Sequence, residues 1–216
     1  MILPRLYAVV DAGVAASRGW TARDLGRAFL AGGAPLIQLR AKQLSTRELL
    51  DTAEALVAAA AACQALVVVN DRADIAKLAG AAGVHLGQDD LAPADARALL
   101  GEAALIGWST HTIAQLDVAV AEPVSYVAVG PIFPTATKDT GYAPVGPALV
   151  REAARRAAGR PIVAIGGITL STAPTLIEAG AAAVAVIGDL LTTGDPARRV
   201  EEYLARLGAP DGPESP

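Results

Sequence analysis

Short, nearly continuous apolar runs recur along the chain, separated by longer stretches in which Ala and Leu return at helical spacing. The runs occupy residues 6–10, 36–40, 65–70, 83–86, 105–109, 126–130, 161–165 and 183–187. They do not alternate apolar with polar, which is how a strand covered on both faces reads. The helical stretches fall between and after them, at 21–31, 45–62, 72–79, 93–100, 112–121, 147–158, 172–179 and 196–207. Several carry start signals. Ser45 stands three residues before Glu48, the spacing of a capping box, and Pro opens or nearly opens the helices at 93, 147 and 196. Gly or Pro punctuates most returns to strand, as at Gly32-Gly33-Ala34-Pro35.

An unbroken series of β–α pairs predicts an α/β fold, a single (β/α)8 TIM barrel over residues 1–207. The alternative, an open doubly wound sheet, usually places Gly-x-Gly-x-x-Gly after its first strand; here that position reads Asp11-Ala12-Gly13-Val14. Residues 208–216, rich in Pro, Gly and acidic groups, are expected to form a disordered tail. With 216 residues, 53% of them hydrophobic but only 4% aromatic, the core has to be built from Ala, Val, Leu and Ile. The net charge of −4 lacks the basic clusters of a nucleic-acid binder, and no apolar run suits a membrane span. The N-terminal residues lack the marks of a signal peptide, so a cytoplasmic location is the expectation. Cys63, the only cysteine, reads as a small hydrophobe in a helix.

In such a barrel the chemistry belongs at the C-terminal ends of the strands. Unusual residues gather there. Of only three lysines, Lys42 and Lys138 follow strands two and six, and the sole asparagine, Asn70, ends strand three. Lysine is a compact charge suited to phosphate. Gln38, Arg40 and Lys42 share one side of strand two. Asp71 and Asp90 follow neighbouring strands and could hold Mg²⁺ with a phosphorylated ligand; the alternative is that each caps the next helix. Asp89 reads as a solvated neighbour. Gly166, Gly167 and Gly188 follow strands seven and eight, where barrels often bind phosphate through backbone N–H groups. His85 reads as a core or supporting residue, and His111 as either that or a site residue. The loop at 131–144 reads as a lid or ligand-wrapping loop.

Six motifs, each at a strand end, carry a resemblance to the thiamine phosphate synthase family from about residue 6 to 207. They are Gln38-Leu39-Arg40-Ala41-Lys42, Asn70-Asp71-Arg72-Ala73-Asp74, the run from Gly83 to Asp90, Ser109-Thr110-His111, Thr135-Ala136-Thr137-Lys138 and Ala164-Ile165-Gly166-Gly167-Ile168. The resemblance implies a transferase that joins (4-amino-2-methyl-5-pyrimidinyl)methyl diphosphate to 4-methyl-5-(2-phosphoethyl)thiazole, or its carboxylated form. It implies that residues 38–42, Asn70, Ser109 and Lys138 meet the pyrimidine diphosphate, with Arg40, Lys42, Ser109 and Lys138 acting in catalysis. Thr135, Ala136, Thr137, Gly167, Ile187 and Gly188 would meet the thiazole phosphate, and Asp71 and Asp90 the Mg²⁺ cofactor. One departure stands out: the family often has Ser where this chain has Gly188, so only a backbone contact survives there. Two rival readings are a thiazole tautomerase of the same superfamily and a phosphometabolite sensor. Neither needs the full set of Gln38, Arg40, Lys42, Asn70, Asp71 and Asp90.

Overall fold

The apolar runs become strands because each is covered on both faces, by helices outside and by the other strands' side chains inside. The computed structural model describes residues 2–135 and 141–209. In chain order the elements are β1 (Leu6–Asp11), α1 (Ala12–Ser17), α2 (Ala22–Ala31), β2 (Leu36–Arg40), α3 (Thr46–Ala61), β3 (Leu66–Asn70), α4 (Ala73–Ala79), β4 (Gly83–Leu86) and α5 (Pro93–Leu100). Then follow β5 (Leu105–Thr110), α6 (Ile113–Ala119), β6 (Tyr126–Val129), α7 (Gly146–Arg156), β7 (Ile162–Ile165), α8 (Ala173–Glu178), β8 (Ala183–Val186), a 3₁₀ turn at Gly188–Leu191 and α9 (Pro196–Leu207). The strands form one closed parallel barrel in sequence order. Pairing of Leu6 with Val184 and Ala8 with Val186 closes it.

Two positions differ in kind from the sequence expectation. A short helix, α1, follows β1 at once, because Asp11 caps it by accepting from the Val14 N–H at 2.9 Å. Cys63 is not inside a helix: α3 stops at Ala61, the chain turns through Gln64 at positive φ, and Cys63 is exposed. The remaining shifts are at ends. Thr21, Ser45, Arg72, Thr112 and Thr172 sit at cap positions just outside their helices. α6, α7 and α8 stop one or two residues early, and α7 starts at Gly146. Ala65 belongs to the exit turn of α3, donating to Ala60, and Ile187 leaves the ladder to start the 3₁₀ turn. The capping box at Ser45 forms in both directions.

Side chains alternate along each strand. Leu6, Ala8 and Val10 face the helices, while Tyr7 and Val9 face the barrel interior with Leu36, Val68, Leu105 and Val163. The low aromatic content suits the outer layer, where α2 and α9 cross so closely that a Cβ on Gly32 would lie 2.3 Å from the Ala197 carbonyl oxygen. Inside, Gly107 makes room for the Tyr126 ring: an added Cβ would stand 2.1 Å from its Cζ. Gly107→Ala is therefore expected to lower stability by about 3 kcal/mol, the upper range for overpacking, because the ring is held at its hydroxyl and cannot swing away. Urea denaturation of the two proteins measures the difference.

Candidate active site

The interior parity of the strands decides which residues can meet at the C-terminal rim. Asp11 continues the inward series of Tyr7 and Val9, Gln38 and Arg40 that of Leu36, Asn70 that of Val68, and Ser109 that of Leu105. His85 points inward because its neighbours Val84 and Leu86 pack in the outer layer. The same rule turns Leu39 and Ala41 outward among the helices, so only their backbone can reach a ligand.

A row of buried polar side chains crosses the barrel beneath the rim. The Gln38 amide Nε2 donates to the Tyr7 hydroxyl at 3.0 Å, which lies 2.9 Å from the Tyr126 hydroxyl. Tyr126 in turn meets His85 Nδ1 at 3.1 Å, and His85 Nε2 meets Ser109 Oγ at 2.8 Å. His85 and Tyr126 also stack, with ring centroids 5.7 Å apart. Burial pushes both phenols far above the usual tyrosine range, so they stay neutral. The row joins β2, β1, β6, β4 and β5 into one floor.

Above this floor lie three adjoining hollows. A polar cleft of about 300 Å³ is lined by Arg40, Lys42, Asn70, Asp71, Asp90 and Ser109, among others. A second cleft, of about 230 Å³, is lined by Thr135, Gly166, Gly167, Ile187, Gly188 and Asp189 with their neighbours. A smaller hollow of about 70 Å³ connects them, bounded by Gln38, Arg40, Asn70, His85 and Ser109 on one side and by Thr135, Gly166 and Ile187 on the other. Two larger hollows lie on the opposite face, around Arg5, Arg97 and Arg160. There the guanidinium groups of Arg97 and Arg160 bind backbone carbonyls, which is a structural task.

In the polar cleft each cation has a partner. Arg40 pairs with Asp11, and Lys42 Nζ lies 3.0 Å from Asp71 Oδ2. Neither Asp71 nor Asp90 caps a helix, since the N-cap positions of α4 and α5 are Arg72 and Ala92, without side-chain cap bonds. Asp71 instead occupies the left-handed region at φ 64, a conformation that aspartate tolerates better than most residues. Asp90 reaches back to accept from the Gly87 N–H at 2.6 Å. Its loop is pinned by Trp108 donating to the Gly87 carbonyl and Gln88 donating to the Ser109 carbonyl. Partial loss of hydration raises the Asp90 carboxyl above its ordinary range; the Gly87 N–H opposes this, and Asp71 raises it further. The two carboxyl groups thus repel each other, a tension that a shared cation relieves. Among the described residues no group of three His, Cys, Asp or Glu forms a metal cage. Two carboxylates beside a solvent-open cleft suit Mg²⁺, which keeps waters and takes phosphate oxygens as further ligands. Asp89 lines the same cleft and is exposed.

The second cleft owes its shape to close backbone packing. Gly166 and Gly167 both have positive φ, and a Cβ on Gly167 would lie 2.4 Å from the Pro134 carbonyl oxygen. The stem of the loop after β6 is fastened to them: Ile132 N–H donates to Ile165 and Phe133 N–H to Gly166. Next to Gly188, a single oxygen of Asp189 accepts from the Leu170 N–H, from Arg199 and, at 2.7 Å, from the Tyr203 hydroxyl. α9 thereby holds the corner that follows β8.

The structure brings Gln38, Arg40, Lys42, Asn70, Asp71, Asp90 and Ser109 together, and Thr135, Gly167, Ile187 and Gly188 beside them. Ala136, Thr137 and Lys138 lie outside the described residues. His111 lines the polar cleft and the connecting hollow, donates from Nδ1 to the Gly130 carbonyl at 2.5 Å, and stacks on Tyr142 at 4.3 Å. Sequence reasoning passed over Asp11, Tyr7 and Tyr126. Asp11 carried a legible signal, being a charged residue at the end of an inward-facing strand.

The sequence profile described as thiamine monophosphate synthase matches residues 6–190. The thiamine-phosphate synthase of Koribacter versatilis (strain Ellin345) is 45% identical over 208 residues, covering 95% of this chain and 96% of that protein. The thiamine-phosphate synthase of Mycobacterium sp. (strain KMS) is 47% identical over 193 residues, covering 84% and 85%. Among solved structures, a thiamine phosphate pyrophosphorylase from Pyrococcus furiosus superposes with a TM-score of 0.84 at 28% identity, covering 94% of this chain and 95% of that one.

The Arg40–Asp11 pair generates a test of its own, since both side chains are largely withdrawn from solvent (16% and 4% exposed). Asp11→Asn keeps an acceptor for the Val14 N–H but removes the charge. It is expected to destabilise by about 3 kcal/mol, the low end for breaking a buried pair. Asp11→Ala should cost about 1 kcal/mol more, the value of the lost cap. Equal denaturation midpoints for the two variants would show that the cap contributes nothing.

Proposed function

The chain belongs to the thiamine monophosphate synthase family, transferases of thiamine biosynthesis, and from that premise we propose that it joins (4-amino-2-methyl-5-pyrimidinyl)methyl diphosphate to 4-methyl-5-(2-phosphoethyl)thiazole or its carboxylated form, giving thiamine phosphate and diphosphate. The observation that carries this reading is the pair of clefts meeting through one small hollow. Two phosphorylated substrates need two separate anion sites and one shared point where their reacting atoms touch.

The diphosphate goes to the cationic cleft, where Arg40 offers a planar fork and Lys42 a point charge. Gln38 and Asn70 hold the pyrimidine over the connecting hollow, with the backbone of Leu39 and Ala41 beneath, and Ser109, which lines both the hollow and the polar cleft, meets the diphosphate end of the same substrate. The thiazole phosphate goes to the glycine cleft, bound by Thr135 and by backbone N–H groups at Gly167, Ile187 and Gly188. Gly188 has no side chain to add, so recognition at that corner is a matter of backbone alone. Ala136 and Thr137 belong to the same group, and Lys138 to the diphosphate group.

The chemistry follows from charge. The C–O bond to diphosphate breaks with its electron pair leaving on oxygen, and the electron-rich aminopyrimidine stabilises the cation on its methylene carbon. Arg40, Lys42 and Lys138 stabilise the departing anion. Asp71 and Asp90 would hold Mg²⁺, which when bound supplies further positive charge to the diphosphate oxygens. The thiazole nitrogen, kept close by its phosphate, donates its lone pair to the carbon. Displacement by a nitrogen lone pair needs no general base, in keeping with a floor of neutral tyrosines.

The deciding assay supplies both substrates with millimolar Mg²⁺ and measures thiamine phosphate and diphosphate; absence of both products would sink the proposal. Asp71→Ala and Asp90→Ala should each reduce turnover on the order of 100-fold or more, the scale of losing a charge-stabilising group, with an unchanged circular dichroism spectrum. Full activity in both variants would remove the metal from this site.

A further inference from the structure

The buried row under the site holds Tyr7, Tyr126 and His85, and the reaction proposed above uses none of them. Its two ends, Gln38 on β2 and Ser109 on β5, both line the connecting hollow. We propose that the row carries one fixed order of protons, which holds His85 as the neutral Nε2–H tautomer and makes Gln38 present an acceptor, and Ser109 a donor, to the ligand.

The order follows link by link. An amide nitrogen only donates, so Gln38 Nε2 gives a proton to the Tyr7 oxygen. Among the described residues, Gln38 and Tyr126 are the only hydrogen-bond partners of the Tyr7 hydroxyl. Its own proton must therefore go to Tyr126. Tyr126, having accepted, gives its proton to His85 Nδ1, which must be bare. The remaining imidazole proton sits on Nε2 and is donated to Ser109 Oγ. The Ser109 proton is then left for the cleft, and Gln38 Oε1 is left on the opposite side.

A charged imidazolium breaks the sequence. With a proton on Nδ1, Tyr126 would have to donate toward Tyr7, whose own proton would then be buried without an acceptor. An unsatisfied buried donor costs about 1–3 kcal/mol. Rotating the Gln38 amide reverses every link: Ser109 would spend its proton on His85 and show the cleft only lone pairs. Resting on the proposed reaction, the forward order is the one that fits. A diphosphate oxygen needs donors, and the amino group of the pyrimidine needs an acceptor. Tyr7, Tyr126 and His85 are thus positioning residues that set the polarity of two contacts they do not themselves make.

Long-range ¹H–¹⁵N NMR of the imidazole rings, on the full chain without substrates at about pH 8, tests the order directly. The chain has two histidines, and His111 provides the reference, because a carbonyl only accepts and so fixes its proton on Nδ1. The two rings should show opposite tautomers, assigned with His111→Asn. An Nδ1–H or doubly protonated His85 would overturn the proposal, whatever reaction the protein catalyses. In Tyr126→Phe, cut at the middle of the row, His85 should become a mixture of tautomers. Its KM for the pyrimidine diphosphate should rise about tenfold, the weight of one hydrogen bond to a charged group, with the KM for the thiazole phosphate unchanged. Equal changes in both KM values, or none, would mean the row is scaffolding only.

Discussion

Closure of the parallel ladder governs the rest of this molecule. Once β1 pairs with β8, every second side chain of eight strands is forced into an interior of fixed width. Large and small residues then have to be matched across the barrel rather than along the chain. Tyr126 fits because Gly107 has no side chain, and Gly83 lies so close to the Leu105 backbone that nothing larger could stand there. The interior is apolar at the strand starts, a hydrogen-bonded row in the middle, and charged only at the rim, where water can reach it. That gradient follows from desolvation: ions are tolerable at the mouth, neutral hydroxyls lower down, hydrocarbon at the base.

The rim itself is a set of paired charges and aimed backbone. Arg40 leans on Asp11 and Lys42 on Asp71, so the cations are held at defined positions while Asp71 and Asp90 stand against each other. Across the hollow the second cleft is shaped by glycines instead, where positive φ at Gly166 and Gly167 and close contact with the loop after β6 bring backbone to its wall. One side presents charge and the other backbone.

The fold was largely legible because unbroken apolar runs marked the strands and helical spacing marked the stretches between them. All eight strands were recognisable as short apolar runs, and Ser45 with Glu48 marked the start of α3. Errors collected where local pattern is silent. α1 depends on the cap made by one aspartate, and Cys63 sits past a helix end that Ala-rich sequence does not announce. At the site, Arg40, Lys42, Asn70, Asp71 and Asp90 were conspicuous against a composition poor in Lys and Asn. Tyr7 and Tyr126 were not, because an aromatic in a buried strand reads as core. Their hydroxyls meet only after closure brings together residues 119 apart in sequence. Leu39 and Ala41 came in with the motif around them, and only the parity of β2 shows that their side chains point elsewhere.

The Asp189 junction bears on how the protein is made. The first strand emerges from the ribosome long before its neighbour β8, and leaves one edge of the growing sheet without a hydrogen-bonding partner until β8 has been made. The corner after β8 is fastened only when Arg199 and Tyr203 of α9 arrive to grip the same carboxylate oxygen. A nascent chain can therefore bury much of its apolar surface early, yet completes the wall of its second cleft only once α9 has been made.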